Sequence, residues 1–133
     1  RGGQSICQRQ ISEHCTAMIL ELLTPESHEN AYIWAAVMLA HAAIGAAMWA
    51  VMLRIDRRPG IAAFLAMILY GMFEAFQAMV SGVFLFWDSL LDWCAVGLGA
   101  TLAAALWGHS IAAMRAAVLA SGIIVLVGAW VRL

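Results

Sequence analysis

An apolar run from Ile61 to Trp87 contains one charged residue, Glu74, near its middle. A bilayer core about 30 Å thick needs about 20 apolar residues in a helix, so this run is long enough to cross it. A carboxylate at that depth is costly, and it is found in membrane helices chiefly where it has a partner or a function. Glu74 is therefore the first candidate for a functional residue.

Composition extends this interpretation to the whole chain. Of its 133 residues, 65% are hydrophobic and 11% are charged, whereas soluble domains have about 45–50% and about 25%. The sequence therefore predicts an integral membrane protein. The net charge of −1 comes with no basic stripe and no glycine-rich phosphate loop, so a nucleic-acid-binding protein is excluded as a class.

Four apolar segments of near-spanning length follow one another in a single domain, residues 31–133. They cover about residues 31–53, 61–87, 90–107 and 111–131. A basic turn at 54–60, an acidic turn at 88–92 and a break at 108–110 separate them. Because each segment is near the ~20 residues that a bilayer demands, the predicted fold class is all-α, a polytopic bundle of four transmembrane helices.

Residues 1–30 are predicted to be a separate N-terminal segment. Between about Ser5 and Leu23, apolar residues recur at helical spacing and polar residues fall largely on other faces, which is typical of an amphipathic helix. Its apolar length is too short to span, so we expect this helix to lie in the headgroup region or on a partner protein. Thr24 and Pro25 then provide a signal for a new helix.

Charge and tryptophan placement predict the orientation. Arg54, Arg57 and Arg58 lie in a short loop, which the positive-inside rule places in the cytoplasm. Both termini are then outside, and we expect the membrane to be the bacterial inner membrane. The tryptophans fall at the two predicted interfaces, as aromatic belts do: Trp34, Trp87, Trp93 and Trp130 outside, Trp49 and Trp107 inside.

Small residues at four-residue spacing predict where the helices pack closely. The rows are Ala42, Ala46 and Ala50; Gly71 and Ala75; Ala100 and Ala104; and Ala113 and Ala117. They indicate packing faces and carry no information about chemistry.

Polar side chains of the second helix share the face of Glu74, with Tyr70, Gln77 and Ser81 at three- and four-residue spacing. In the first helix, the residue that titrates near neutral pH is His41. Counted from the predicted outer helix ends at about 1.5 Å per residue, His41 and Glu74 lie at similar depth. The sequence therefore predicts a His41–Glu74 pair, which either serves a function or belongs to a structural hydrogen-bond network.

Asp92 is predicted in the first turn of the third helix, where a negative charge suits the helix dipole. It either marks the outer mouth of a polar site or is a surface charge at a helix start. Arg115 is expected to extend to the cytoplasmic interface. The cysteines and histidines of residues 1–30 match no standard zinc spacing, so neither a metal nor a cofactor is predicted.

These residues follow a recognisable order. A His in the first helix precedes Tyr-Gly-x-x-Glu-x-x-Gln in the second and Ser-Leu-Leu-Asp before the third; the positions are His41, Tyr70, Gly71, Glu74, Gln77, Ser89, Leu90, Leu91 and Asp92, followed by Ala95 and Gly99. This order resembles the VanZ-like integral membrane proteins. The chain departs from that family in lacking an Arg between Gln77 and Asp92 and in carrying Val96 where the family has Asn.

The resemblance implies a small multi-pass envelope protein with a polar site that opens to the outer leaflet. We expect His41, Tyr70, Glu74, Gln77 and Asp92 to bind or act on a lipid-linked or cell-wall-related ligand. An accessory or structural subunit of a larger membrane complex is one alternative. A holin-like pore or proton-coupled carrier is another, because intramembrane Glu and His can relay protons.

The expected partners are membrane lipids, together with other membrane subunits or further copies of the chain. No nucleophile with a neighbouring base can be argued from the spacing of the residues, so an enzyme is the less favoured class.

Overall fold

The computed structural model of the chain describes residues 30–81 and 86–133, which form four α-helices. They are α1 Ala31–Ile55, α2 Pro59–Ser81, α3 Phe86–Trp107 and α4 Ile111–Val131. Each is long and apolar enough to cross a membrane. The predicted all-helical class with four such helices is confirmed, whereas the amphipathic helix predicted near the N-terminus lies outside the described residues.

Local sequence sets the ends of α1 and α2. The Asn30 side chain caps α1, since its Oδ1 accepts hydrogen bonds from the backbone N–H groups of Tyr32 and Ile33 at 2.9 and 3.3 Å. Pro59 begins α2, where its missing N–H has no helical partner to lose. These signals explain why α1 begins at its predicted residue and α2 begins two residues before its predicted start.

The predicted junction between the second and third helices is wrong. The sequence analysis extends the second helix to Trp87 and places an acidic turn at 88–92, but α2 ends at Ser81 and α3 begins at Phe86. Residues 88–92 are helical. Acidic residues are favoured in the first turns of a helix because they complement its dipole, so this acidic stretch belongs to a helix start.

The central pair of the bundle is α1 and α3, which pack against each other most extensively. Both also contact α2 and α4, which flank the pair on opposite sides. Two contacts, His41 with Asp92 and Gly45 with Val96, advance by four residues along both central helices, so α1 and α3 run parallel. The end of the bundle where α2 stops is called the Ser81 end here, and the opposite end the Pro59 end.

Glycines bring the central helices very close together. A Cβ added at Gly45 would collide with the backbone of Val96, and one at Gly99 would collide with the backbone of Ala42. Close backbone approach maximises van der Waals packing, a main attraction between helices in an apolar solvent. The rows of small residues predicted from sequence include Ala42 but leave out the two glycines that allow this distance.

Tryptophans anchor the flanking helices at both ends. Near the Pro59 end, the indole Nε1 of Trp49 donates to the backbone oxygen of Pro59 at 3.0 Å, which ties α1 to the start of α2. Near the Ser81 end, the guanidinium of Arg132 lies 4.6 Å from the centre of a Trp34 ring, a favourable cation–π distance. This second contact ties the end of α4 to the start of α1.

Candidate functional site

His41 and Asp92 meet across the contact between α1 and α3. Their nearest polar atoms, His41 Nδ1 and Asp92 Oδ1, are 3.5 Å apart. Asp92 is only 8% exposed, which is rare for a carboxylate unless it is paired. Each residue lies one turn from the tight Gly45–Val96 contact, so the close approach of the two backbones holds the ring and the carboxylate together.

The hydrogen bond that His41 makes to its own helix defines its chemistry. Its Nδ1 lies 2.9 Å from the backbone oxygen of Val37. Because a carbonyl only accepts, Nδ1 carries the hydrogen, and Nε2 is the nitrogen that accepts a proton or a ligand hydrogen bond.

Tyr70 of α2 packs against the same histidine. The ring centroids of Tyr70 and His41 are 5.9 Å apart and the planes are nearly perpendicular, at 82°, an edge-to-face geometry that ring quadrupoles favour. Tyr70 is 5% exposed. His41, Tyr70 and Asp92 thus come together from α1, α2 and α3, and they are called the polar cluster below.

The predicted partner of His41 is wrong. Within residues 30–81 and 86–133, no ion pair joins His41 to Glu74, and the carboxylate beside the imidazole is that of Asp92. The α2 residue level with His41 is Tyr70, and Glu74 lies about one turn, or about 6 Å, nearer the Ser81 end. The error in depth follows from the error at the junction, because the second helix was counted from Trp87 and not from Ser81.

The interpretation of Asp92 as a first-turn surface charge is also wrong. Because α3 begins at Phe86, Asp92 lies in the second turn, and it is buried between helices. The other interpretation, in which Asp92 belongs to a polar site, agrees with this position.

The inward face of α2 changes from covered to uncovered along the helix. Ala63, Tyr70 and Gln77 are seven residues apart and therefore share one face. Ala63 and Tyr70 are buried, Glu74 is half-buried, and Gln77 is exposed. Among the described residues, the polar part of this face is therefore less covered beyond Tyr70. The surface made by the polar cluster, Glu74 and Gln77 is called the polar cleft below.

Trp93 fixes α3 against α2 beside the polar cleft. Its indole Nε1 donates to the backbone oxygen of Met67 at 2.9 Å, and its ring lies against Gly71. Sequence analysis assigns Trp93 only to an interfacial belt. An indole that donates to a carbonyl of another helix has no sequence pattern, so this positioning role was missed.

Charged residues at the Pro59 end form a separate group. Arg58 Nη2 donates to Asp56 Oδ2 at 2.7 Å, and this side-chain hydrogen bond lowers the pKa of Asp56 to about 2. Arg54 and Arg57 are exposed at the same end. This basic surface lies at the opposite end of α2 from the polar cleft.

Among the described residues, no group of three or more His, Cys, Asp or Glu side chains is placed to hold a metal ion. A scan against protein-family models, a search of curated proteins and a search of solved structures each find no match. The class of protein is therefore defined from this chain alone: a bundle with four helices of membrane-spanning length and a polar cluster shared by three of them.

Proposed function

We propose that this chain is a small integral membrane protein whose polar cleft binds the headgroup of a lipid or lipid-linked ligand at the outer face of a membrane. The observation that carries the proposal is the contact of His41 with buried Asp92, together with the half-buried Glu74 and the exposed Gln77 one and two turns beyond Tyr70 on α2. Polar groups at membrane depth are costly and are retained mainly where they are used. A headgroup in the cleft would supply hydrogen bonds that acyl chains cannot.

The outer surface of the bundle supports the membrane setting. Large apolar side chains are exposed along all four helices, as lipid contact requires; examples are Leu39, Phe64, Phe76, Leu106, Ile123 and Leu126. The arginines at the Pro59 end favour a cytoplasmic location for that end under the positive-inside rule. The Ser81 end and the polar cleft would then face outside.

A VanZ-like envelope protein of a bacterial inner membrane is the finer form of the proposal, and it rests on the motif residues. Three of them, His41, Tyr70 and Asp92, form the polar cluster. The other two candidates, Glu74 and Gln77, line the α2 side of the cleft. The ligand would be lipid-linked or related to the cell wall.

The test is lipid retention by the purified protein. The parent and the variants His41→Ala and Asp92→Asn would be extracted with native lipid in polymer discs and analysed by native mass spectrometry. Gly122→Ala is the matched control, because a Cβ at that position meets no atom within 4 Å. We expect one lipid class to be enriched over bulk membrane in the parent and the control, and to fall to the bulk level in both cluster variants.

Equal lipid profiles in all four proteins would contradict the proposal. A second membrane protein recovered in stoichiometric amount with such profiles would favour the accessory subunit. Ion flux through proteoliposomes, lost in His41→Ala, would favour the pore or carrier.

A further inference from the structure

The Pro59 end of the bundle combines exposed arginines with an exposed apolar helix face. We propose that these two features form a lipid site of their own, which binds an anionic phospholipid with its phosphate against Arg54 and Arg57 and an acyl chain along α1. The lipid belongs to the leaflet at the Pro59 end. This inference goes beyond the proposed function, because it needs the membrane setting but not the polar cleft.

Two arginines at this end can contact a ligand. Arg54 lies in the last turn of α1, and Arg57 lies in the turn between α1 and α2. Both are exposed, and neither forms an ion pair with a carboxylate in the part of the chain that the structure describes. Because a guanidinium in a protein is always protonated, both residues carry a permanent positive charge.

Arg58 has a different role, because Asp56 holds its guanidinium. Its Nε donates to Asp56 Oδ1 at 3.0 Å and its Nη2 donates to Asp56 Oδ2 at 2.7 Å. The backbone N–H of Arg58 also donates to Oδ1, at 2.9 Å. These three bonds fix the turn that carries Arg57. The carboxylate of this turn is thus engaged by Arg58, so the charges of Arg54 and Arg57 are left for an external anion.

Tryptophans place these arginines at the level of the lipid headgroups. The rings of Trp49 and Trp107 are in edge-to-face contact, with centroids 6.1 Å apart, and Trp107 is 63% exposed. Tryptophans favour the interface between the apolar core and the headgroups. Arg54 lies five residues beyond Trp49 in α1, or about 7.5 Å nearer the aqueous side. A phosphate at the interface is therefore within reach of its long side chain.

The face of α1 that leads to Arg54 is apolar and exposed. Ala47, Ala50 and Arg54 follow one another at three- and four-residue spacing, so they share one side of the helix, and all three are exposed. Val51, which is 60% exposed, borders this side. Ala47 lies about 200° around the helix from Gly45, which contacts α3, so the face points away from the central pair. An acyl chain can lie along it below the guanidinium of Arg54.

Arg54 also argues against a second copy of the chain on this face. A copy with the same orientation in the membrane, related by a two-fold axis, would bring two Arg54 side chains together, and like charges repel each other. An anionic phospholipid instead offers a negative charge at the arginines and an apolar chain along the alanines. Phosphate oxygens also match the planar donors of a guanidinium. Charge complementarity therefore favours the lipid as the occupant.

The experiment uses the full chain in phosphatidylcholine discs that contain phosphatidylglycerol or phosphatidylethanolamine at equal mole fraction. Native mass spectrometry gives the retained lipid and the oligomeric mass for the parent, Arg54→Gln, Arg57→Gln and the double variant. Arg115→Gln is the matched control, because it removes the same charge from an exposed position of α4, about 200° around the helix from buried Ala117. His41→Ala tests independence from the polar cleft, and circular dichroism confirms folding.

We expect phosphatidylglycerol to be retained above phosphatidylethanolamine in the parent, in Arg115→Gln and in His41→Ala. Arg54→Gln and Arg57→Gln should each lower the retained phosphatidylglycerol about fivefold, the factor for one arginine near a charged lipid surface. The double variant should lower it further.

Equal retention of both lipids by the parent would overturn the inference, as would an equal loss of phosphatidylglycerol in Arg115→Gln and Arg54→Gln. Loss in His41→Ala with no loss in the arginine variants would overturn it and leave the proposed function intact. A dimer that Arg54→Gln strengthens, without enrichment of phosphatidylglycerol in the parent, would overturn it in favour of a second copy.

Discussion

One face of α2 is turned toward the bundle along the whole helix, but this face is buried in the Pro59 half and only partly covered in the Ser81 half. In the Pro59 half, Ala62, Ala63 and Ala66 are buried in a cluster with Trp49 and Ala100. In the Ser81 half, Glu74 is half-buried and Gln77 is exposed. Tyr70 lies at the boundary, covered and in contact with His41.

This difference separates stability from function within one helix. Alanines let the first half of α2 pack closely on the central helices, whereas the polar side chains that follow are only partly covered. We therefore expect substitutions in the closely packed regions to change folding, and substitutions in the polar cleft to change binding more than folding. The predictions below run from the largest expected effect to the smallest.

Substitution of the glycines at the contact between α1 and α3 should give the largest decrease in the free energy of unfolding. Gly45→Ala and Gly99→Ala each place a methyl group against backbone atoms of the other helix, which side-chain motion cannot relieve. We expect each to lower the free energy of unfolding by about 3 kcal/mol, the upper part of the overpacking range. Thermal unfolding in detergent, with Gly122→Ala as control, measures this, and equal midpoints for all three variants would contradict the close contact.

A double-mutant cycle distinguishes the two possible partners of His41. We expect a coupling free energy of about 1 kcal/mol between His41→Ala and Asp92→Ala, within the range measured for polar pairs in membrane bundles. His41→Ala and Glu74→Ala should add to within about 0.5 kcal/mol. The measurement is unfolding in mixed micelles, and the reverse pattern would restore the pair predicted from sequence.

Removing the Trp93 hydrogen bond should loosen the boundary between the two halves of α2. Trp93→Phe keeps an aromatic ring but loses the donor to the Met67 oxygen, so we expect a loss of about 0.6 kcal/mol in unfolding free energy. Trp87→Phe is the matched control because Trp87 is exposed. A loss of unfolding free energy in Trp87→Phe as large as that in Trp93→Phe would contradict a stabilising role for the indole N–H of Trp93.

Lowering the pH should reduce the stability contributed by the ion pair at the Pro59 end only slightly. The pKa of Asp56 is lowered from 3.8 to about 2 by its bond to Arg58, so its contribution is present above pH 3.8 and is lost as the pH falls toward 2. Asp56→Asn should slightly reduce the loss of stability across this window. This effect is the smallest of the series because exposed ion pairs contribute little to stability. A change in unfolding free energy larger than that of Trp93→Phe would contradict this ranking.

Sequence patterns predicted the helices better than their contacts. Apolar length was sufficient to predict four helices, and Asn30 and Pro59 mark two of their starts. The predicted junction between the second and third helices was wrong because the stretch from Asp88 to Asp92 was interpreted as a turn, although acidic residues are also favoured at helix starts. That single error moved the predicted position of Glu74 six residues, or about 9 Å, deeper, and it paired Glu74 with His41, whose partner in the structure is Asp92.

Other parts of the site had weaker sequence signals. Gly45 and Gly99 are small residues on two helices, so their pairing could have been considered, but sequence alone does not show which helices are neighbours. The donation from Trp93 to Met67 depends on that neighbourhood as well. All five candidate site residues lie in the polar cluster or on the α2 side of the cleft, whereas their pairing required the structure.

Cysteine labelling in intact membranes tests most directly whether α2 is closed up to Tyr70 and open beyond it. The parent would carry Cys7→Ser, Cys15→Ser and Cys94→Ala, and a membrane-impermeant maleimide would be applied from each side to single variants Ala63→Cys, Met72→Cys and Gln77→Cys. Met72 is the control for lipid exposure, since it is exposed on a face of α2 about 140° around the helix from Gln77.

We predict rapid labelling of Gln77→Cys from the outside only, with Ala63→Cys and Met72→Cys protected until the protein is denatured. Equal protection of all three positions would mean that Gln77 faces lipid or a partner and not a hydrated cleft. Labelling of Ala63→Cys at the rate of Gln77→Cys would contradict the division of α2 into a closed and an open half.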